Sequence, residues 1–328
     1  MPRAVVTGAA GFVGYFTCQR LMAEGYDVIG LDAMTDYYDV SLKQARLERL
    51  KAQERFEFVN GRVEAEGIVA GLLERGVDLV VHLAAQAGVR HSMEAPRAYI
   101  ESNIAGTFEV LEAVRHNPVR HLMLASSSST YGASDAFPFA EGADTNHPLS
   151  LYAASKKAGE AMAHSYAHLY EMPITCMRLF TVYGPWGRPD MALFKFTKAI
   201  LEGRPVDVYN HGNMKRDFTY VEDLVERLVG LAAMAPVLED SQLAPWRVVN
   251  IGRGQPVALA DFITAIEAAT GRKAEQNLLP MQAGDVPATW ADTTLVDTLL
   301  GPQRRQTDIK QGMQAFVDWY RSYYGDPL

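Results

Sequence analysis

Along the first half of the chain, short runs of aliphatic and β-branched residues alternate with longer stretches in which apolar positions recur every three or four residues. Segments 4–7, 27–31, 56–60, 77–84, 121–126 and 173–179 read as strands, and segments 12–23 (closed by Gly25), 103–115 and 151–170 as helices. Strands that are apolar throughout and alternate with helices are buried on both faces. The pattern therefore predicts βαβ units and a parallel sheet covered by helices on each side.

After Tyr183 the texture changes, as Gly184, Pro185, Gly187, Pro189, Gly203, Pro205 and Gly212 punctuate short pieces, which suits a smaller, loop-rich cap. Segment 248–251 reads as a strand that returns to the sheet. The expected fold is α/β, a Rossmann-type doubly wound parallel sheet with a smaller C-terminal substrate domain. The first domain is expected over residues 1–180 and the second over 181–328, with segments near 217–251 returning to the first and a cleft between the two.

Composition narrows the possible partners. The 328 residues allow one or two domains, and 48% hydrophobic with 21% charged residues is a globular balance. Acidic residues outnumber basic ones 39 to 31, for a net charge of -8, which argues against a nucleic-acid partner. No apolar run approaches the roughly 18 residues of a membrane span, and the first strand begins at once, so a cytoplasmic soluble protein is expected. Cys18 and Cys176 lie in apolar runs, which suits neither a disulfide framework nor a thiolate zinc site. His164 and His168 are four apart on a predicted helix but have no evident third ligand, so no metal is expected.

The chemistry begins at Gly8-Ala9-Ala10-Gly11-Phe12-Val13-Gly14, a glycine turn between the first strand and the first helix. Glycines permit the tight turn and the approach of a pyrophosphate, and the helix start offers free N–H groups. Asp32 follows at the end of the second strand, placed to accept from ribose hydroxyls and to repel a 2′-phosphate, which favours NAD over NADP. Tyr152 and Lys156 stand one turn apart on one helix face, after the run Ser126-Ser127-Ser128-Ser129-Thr130-Tyr131-Gly132 at a strand end. A phenol with its pKa lowered by a nearby ammonium and by the cationic nicotinamide could exchange a proton with a sugar hydroxyl.

The Gly-x-x-Gly-x-x-Gly spacing, the Tyr-x-x-x-Lys pair and the serine run resemble the extended short-chain dehydrogenase/reductase family over nearly the whole chain. By that resemblance Gly8, Gly11, Phe12, Val13, Gly14, Asp32 and Lys156 hold NAD, while Tyr152, Lys156 and Ser127 are catalytic. Ser128 and Ser129 stand where dehydratases carry an Asp-Glu pair and decarboxylases a glutamate, which favours a reaction without elimination. The stretches 36–43, 178–191 and 216–223 are similar to those of UDP-glucuronate 4-epimerases within the family.

That similarity implies reversible C4 epimerisation of a UDP-sugar through a 4-keto intermediate, by an enzyme that forms homodimers. Thr181 and Arg188 would hold the sugar carboxylate, Arg216 the UDP phosphates and Asp285 the uridine ribose, with Ser127, Ser128, Ser129 and Tyr152 around the sugar. A UDP-hexose 4-epimerase of a neutral sugar and a UDP-glucuronate decarboxylase are the alternatives. Arg62 departs from the family pattern, standing where an aspartate usually meets the adenine amine, and Ala33-Met34-Thr35 replaces a more polar stretch. Between Arg178 and Arg216 seven basic residues face three acidic ones, so that segment carries +4 and predicts a basic lip on the cleft.

Overall fold

In chain order the strands are β1 (Arg3–Thr7), β2 (Asp27–Asp32), β3 (Phe56–Asn60), β4 (Leu79–His82), β5 (His121–Ser127) and β6 (Ile174–Leu179). There follow β7 (Thr181–Tyr183), β8 (Val206–Val208), β9 (Lys215–Tyr220), β10 (Trp246–Ile251), β11 (Pro256–Ala258), β12 (Gln276–Leu278) and β13 (Ala288–Thr289). The computed structural model describes residues 1–238, 243–282, 284–303 and 306–326.

Seven strands form one sheet in the order β3-β2-β1-β4-β5-β6-β10, every neighbouring pair parallel. This is the expected doubly wound sheet. The chain winds outward from β1 to β3, then crosses back to start again at β4. A crevice opens at that reversal, beyond the carboxyl ends of the strands. On one face the helices Phe12–Ala23 and Val221–Ala232 bury Cys18, Leu21, Leu224 and Leu228 against Val6, Val81 and Met177. On the other, the helices Ile68–Leu73, Gly106–His116 and Leu151–Tyr170 bury Leu72, Leu111, Val114 and Ala163 against Val5, Val80 and Leu122.

Two elements differ from expectation, both at the crevice. The strand anticipated over 77–84 ends at His82. Beyond it the Thr7 hydroxyl accepts from the Ala84 amide at 3.1 Å, so the chain turns away to line the crevice. The helix anticipated over 103–115 begins as a π-helical turn, Ile100–Ala105, and continues as Gly106–His116. The wide turn lets the Asn103 amide close a small network: it accepts from the Gln86 N–H (2.7 Å) and donates to the Gln86 carbonyl (3.1 Å) and to Ser155 Oγ (2.9 Å).

The remaining strands build smaller sheets: β11-β9-β13 with β7 also on β9, and β8 with β12. The helices Ala192–Leu201, Leu259–Thr270 and Ile309–Tyr324 pack on these around Phe194, Phe218, Phe262, Phe316 and Tyr320. This part is less loop-rich than its glycines and prolines suggested. Pro189 precedes a helix, and Gly203 follows it at φ +67°, so the punctuation marks the ends of ordered elements.

Among the described residues no helix is long and apolar enough to cross a membrane, and no group of three or more His, Cys, Asp or Glu could hold a metal ion. The His164 ring meets Trp246 edge-on at 5.0 Å, and His168 Nδ1 meets the Leu243 carbonyl at 2.7 Å. Both cysteines are buried free thiols whose pKa is pushed up by burial.

A buried ion pair ties the sheet to the helix Leu151–Tyr170. Arg178 on β6 donates through Nε and Nη2 to the two Glu160 oxygens, both at 2.8 Å, and Ser126 Oγ adds a 2.6 Å bond. Replacing Glu160 by alanine would strand the guanidinium in the interior, and removal of one partner of such a pair costs about 3–5 kcal/mol. Urea denaturation of Glu160→Ala should show a loss of that size; a loss below about 1 kcal/mol would mean the pair is solvated.

Candidate active site

The glycine turn owes its shape to close contacts. Gly8 has φ +72°, and a Cβ there would lie 2.8 Å from the Ala84 nitrogen. A Cβ on Gly14 would come within 2.0 Å of the Gly8 carbonyl oxygen, so only glycine lets the helix Phe12–Ala23 start this close to the turn. Gly11 caps that helix with no side chain over its first amides, which open on the crevice. Asp32 accepts from the Ala10 N–H through Oδ2 (3.0 Å) and from the Met34 N–H through Oδ1 (2.8 Å). Its carboxylate is thereby fixed at the rim of the turn with lone pairs to spare for a ribose diol. These features fit a dinucleotide.

At the other departures from the family pattern, Arg62 pairs with Glu64, and both line the crevice with Val63. Lys43, buried on the helix Val40–Lys51, donates to the Thr35 carbonyl (2.9 Å) and hydroxyl (3.0 Å) and also lines it.

Every residue assigned a site role from sequence lines one cavity of about 920 Å³: Gly8, Gly11, Phe12, Val13, Gly14, Asp32, Ser127, Ser128, Ser129, Tyr152, Lys156, Thr181, Arg188, Arg216 and Asp285. The volume is at the upper end of ligand sites, as two nucleotide-sized ligands would need. Co-location of residues so far apart in the chain follows from the sheet, because each strand delivers its carboxyl end to the same crevice.

Tyr152 and Lys156 are both half-buried on the cavity wall. The Tyr152 phenol is pushed up by burial, while the Ser127 hydroxyl and the Arg188 guanidinium pull it down. Lys156 is not among the groups that lower it, contrary to the expectation from sequence. Its ammonium donates instead to the Ala125 carbonyl at 2.9 Å, and burial lowers its own pKa to about 8.

Arg188 is engaged where sequence left it free. Its Nε and Nη2 donate to Asp190 Oδ1 (3.0 Å) and Oδ2 (2.5 Å), and the Tyr37 hydroxyl donates to the same Oδ2 at 3.1 Å. At the far end of the cavity, Arg216 on β9 donates to the Lys215 carbonyl (2.9 Å), and burial lowers its pKa against the pull of Asp285. Arg90 reaches Asp285 at 3.3 Å and lies over the Tyr209 ring at 5.1 Å.

The predicted basic lip is only partly there. Arg188, Lys195, Lys198, Arg204 and Arg216 line the cavity, but Arg178 is spent on Glu160 and does not. Sequence reasoning missed Arg90 and Asn103, and gave no role to Tyr37, Lys43 or Asp190 although all three lie in the stretches it singled out. The position of 83–90 directly after a central strand was the signal available for Arg90.

Residues 4–252 match the NAD dependent epimerase/dehydratase family. The chain belongs to that family. It is 48% identical to a probable UDP-glucuronate 4-epimerase of Rhizobium meliloti, covering 98% of each chain. It is 45% identical to UDP-glucuronate 4-epimerase 4 of Arabidopsis thaliana, over 98% of this chain and 75% of that one. Among solved structures, the UDP-glucuronic acid 4-epimerase of Bacillus cereus in complex with UDP-glucuronic acid and NAD superposes with a TM-score of 0.90 at 33% identity, covering 98% of this chain and 100% of that one.

The depressed pKa of Lys156 makes it a measurable reporter of the site. A buried lysine with a depressed pKa binds fewer protons folded than unfolded, so its penalty is full below about 8 and fades as pH rises toward 10.5. For the cofactor-free protein, the Tm of wild type minus that of Lys156→Met should therefore rise between pH 7.5 and about 10.5. A flat difference across that range would mean the ammonium is solvated.

Proposed function

We propose that the protein interconverts UDP-glucuronate and UDP-galacturonate by epimerisation at C4, with NAD as its cofactor. The observation that carries this is the placement of Arg188 within electrostatic reach of Tyr152, in a cavity that also contains the dinucleotide turn. A cation beside the proton-transfer group suits a sugar bearing a carboxylate at C6, next to the reacting region. The relatives named for UDP-glucuronate, which match almost the whole of this chain, support the same substrate.

In this reading residues 1–180 form the cofactor lobe and 181–328 the substrate lobe, with segments near 217–251 returning to the first. Gly8, Gly11, Phe12, Val13, Gly14 and Asp32 would bind NAD, which when bound supplies the means to oxidise C4 and reduce it again. Tyr152 takes the proton of the C4 hydroxyl and returns it, its oxygen steadied by the Ser127 hydroxyl. Lys156, whose ammonium donates to the Ala125 carbonyl, lines the same cavity one helical turn from Tyr152 and would join the residues that bind NAD. Ser128 and Ser129 line the sugar site. Thr181 and Arg188 hold the carboxylate. Arg216 faces the pyrophosphate, joined by Arg90, and Asp285 accepts from the uridine ribose.

The same reading accounts for what the cavity lacks. Its carboxylates among the described residues are Asp32, Glu64, Asp190, Asp207 and Asp285, each already hydrogen-bonded to the protein. None lies next to Ser128 or Ser129 in sequence, so elimination has no dedicated carboxyl acid or base there.

Incubation with UDP-glucuronate, followed by NMR, should give UDP-galacturonate without CO₂ release. Tyr152→Phe should lower turnover by about 10²–10⁴-fold while leaving UDP binding near wild type. UDP-xylose as the main product would reassign the protein to the decarboxylases. Full activity of Tyr152→Phe would refute the proton-transfer role.

We further propose a homodimer. The exposed Ile100 and Phe108, on the turn and helix spanning residues 100–116, offer an apolar face beside the helix Leu151–Tyr170, where Leu169 is also exposed. Sedimentation should find a dimer that Phe108→Glu shifts toward monomer; a monomeric wild type at micromolar concentration would exclude it.

A further inference from the structure

An enzyme that oxidises C4 of a glucuronate makes its own hazard. The product is a β-keto acid. If the C5–C6 bond aligns with the C4 carbonyl π system, its electron pair passes into that carbonyl and C6 departs as CO₂. The enolate left behind takes a proton from water at C5, giving a 4-keto pentose. Holding the carboxylate is not enough to prevent this; its orientation has to be fixed, which requires that the group holding it be fixed as well.

Arg188 is fixed in an unusual way. Asp190 stands two residues along the same loop and covers the Nε/Nη2 edge of the guanidinium with both its oxygens, at 3.0 and 2.5 Å. Asp190 is itself tied by the Tyr37 hydroxyl at 3.1 Å, across 153 residues of chain. Tyr37 comes from the segment after β2, on the cofactor side of the cavity. Its seat there is tight: a Cβ on Gly88 would lie 2.6 Å from the Tyr37 hydroxyl, and the His91 ring packs at 4.8 Å. Tyr37, Arg188 and Asp190 all line the cavity. Among the described residues Nη1 of Arg188 has no hydrogen-bond partner. The same contacts hold the carboxyl of Asp190 below its usual range, so it remains the anionic acceptor.

We propose that Asp190, anchored by Tyr37, is a positioning residue that occupies one edge of Arg188 so that the substrate carboxylate must approach from the Nη1 side, in the orientation that keeps C5–C6 out of line with the C4 carbonyl. Asp190 therefore acts on product fidelity and only secondarily on affinity. Its negative charge weakens the hold of Arg188 on the substrate, and in return the guanidinium cannot rotate with the sugar when the 4-keto ring turns over. The inference rests on the proposed UDP-glucuronate chemistry.

The test measures epimer and CO₂ together, from UDP-glucuronate carrying ¹³C at C6, because their ratio is a property of each active molecule and is independent of how much protein is folded. In Asp190→Asn one charged acceptor oxygen is replaced by a donor. The CO₂ share of turnover should rise several-fold and kcat for epimerisation should fall about 10- to 100-fold, with no rise in KM. Tyr37→Phe, which removes a single hydroxyl, should move the product ratio in the same direction by less. An unchanged ratio in both variants, or a raised KM with an unchanged ratio as expected of a residue that only binds substrate, overturns the proposal. A wild type that fails to epimerise UDP-glucuronate overturns the functional reading and this inference with it, whereas an active wild type with unaltered variants overturns the inference alone.

Discussion

The carbonyl of Gly8 points at the start of a helix with almost no room between them. A Cβ at position 14 would stand 2.0 Å from that oxygen, and one at position 11 would stand 2.9 Å away. The missing side chains let the helix Phe12–Ala23 sit directly on the end of β1, with its free amides facing the crevice at the switch point. Other contacts then converge on the same few atoms. Asp32 takes the Ala10 N–H, and the buried Arg46 donates to the Ala10 carbonyl (2.9 Å), the Tyr38 hydroxyl (2.8 Å) and the Trp186 carbonyl (2.6 Å). Trp186 belongs to the loop that carries Arg188. The glycine turn and the loop that carries Arg188 are thus joined through one guanidinium, so displacement of the turn would be felt at that loop.

Charge is distributed by the same logic of paired and unpaired groups. Arg178 and Glu160 neutralise each other inside the sheet–helix interface, which makes the pair structural. Arg188 and Asp190 make an equally direct pair at the cavity wall, where in the proposed reaction a substrate carboxylate would add to the guanidinium without breaking the first contact. Among the described residues Arg216 has no carboxylate bonded to it and feels Asp285 only at a distance, so the pyrophosphate of the proposed substrate would meet a cation whose charge is still largely uncompensated. The net charge of -8 says nothing of this gradation; the partners of each arginine do.

Much of this was legible in the chain because its signals were local. The alternation of apolar runs with helical stretches gave the parallel sheet, and the glycine spacing with Asp32 located the crevice. What sequence could not supply was pairing across distance. Asp190 reads as an ordinary loop acid until Tyr37, 153 residues earlier, is seen to donate to it. Asn103 sits in a helical pattern that gives no hint of a π turn, because the wide turn is stabilised by Gln86 and Ser155 from two other elements. The basic segment from 178 to 216 was counted as one lip although Arg178 points into the core, since net charge does not record which side of a strand a residue faces.

Proton transfer shows how little of the site's behaviour resides in any one residue. Tyr152 is half-buried, and burial alone makes its phenol harder to ionise than one in water. Ser127, at the end of β5, and Arg188, in the loop after β7, lean the other way, while Lys156 is turned to the Ala125 carbonyl. The tyrosine is therefore tuned from the substrate side as much as from its own helix. In the proposed reaction a guanidinium held by Asp190 would affect two things at once: where the sugar carboxylate rests and how readily the phenol gives up its proton. A sugar without a carboxylate would leave Nη1 of Arg188 with no charged acceptor in a partly desolvated wall, which is a cost the acidic sugar does not incur.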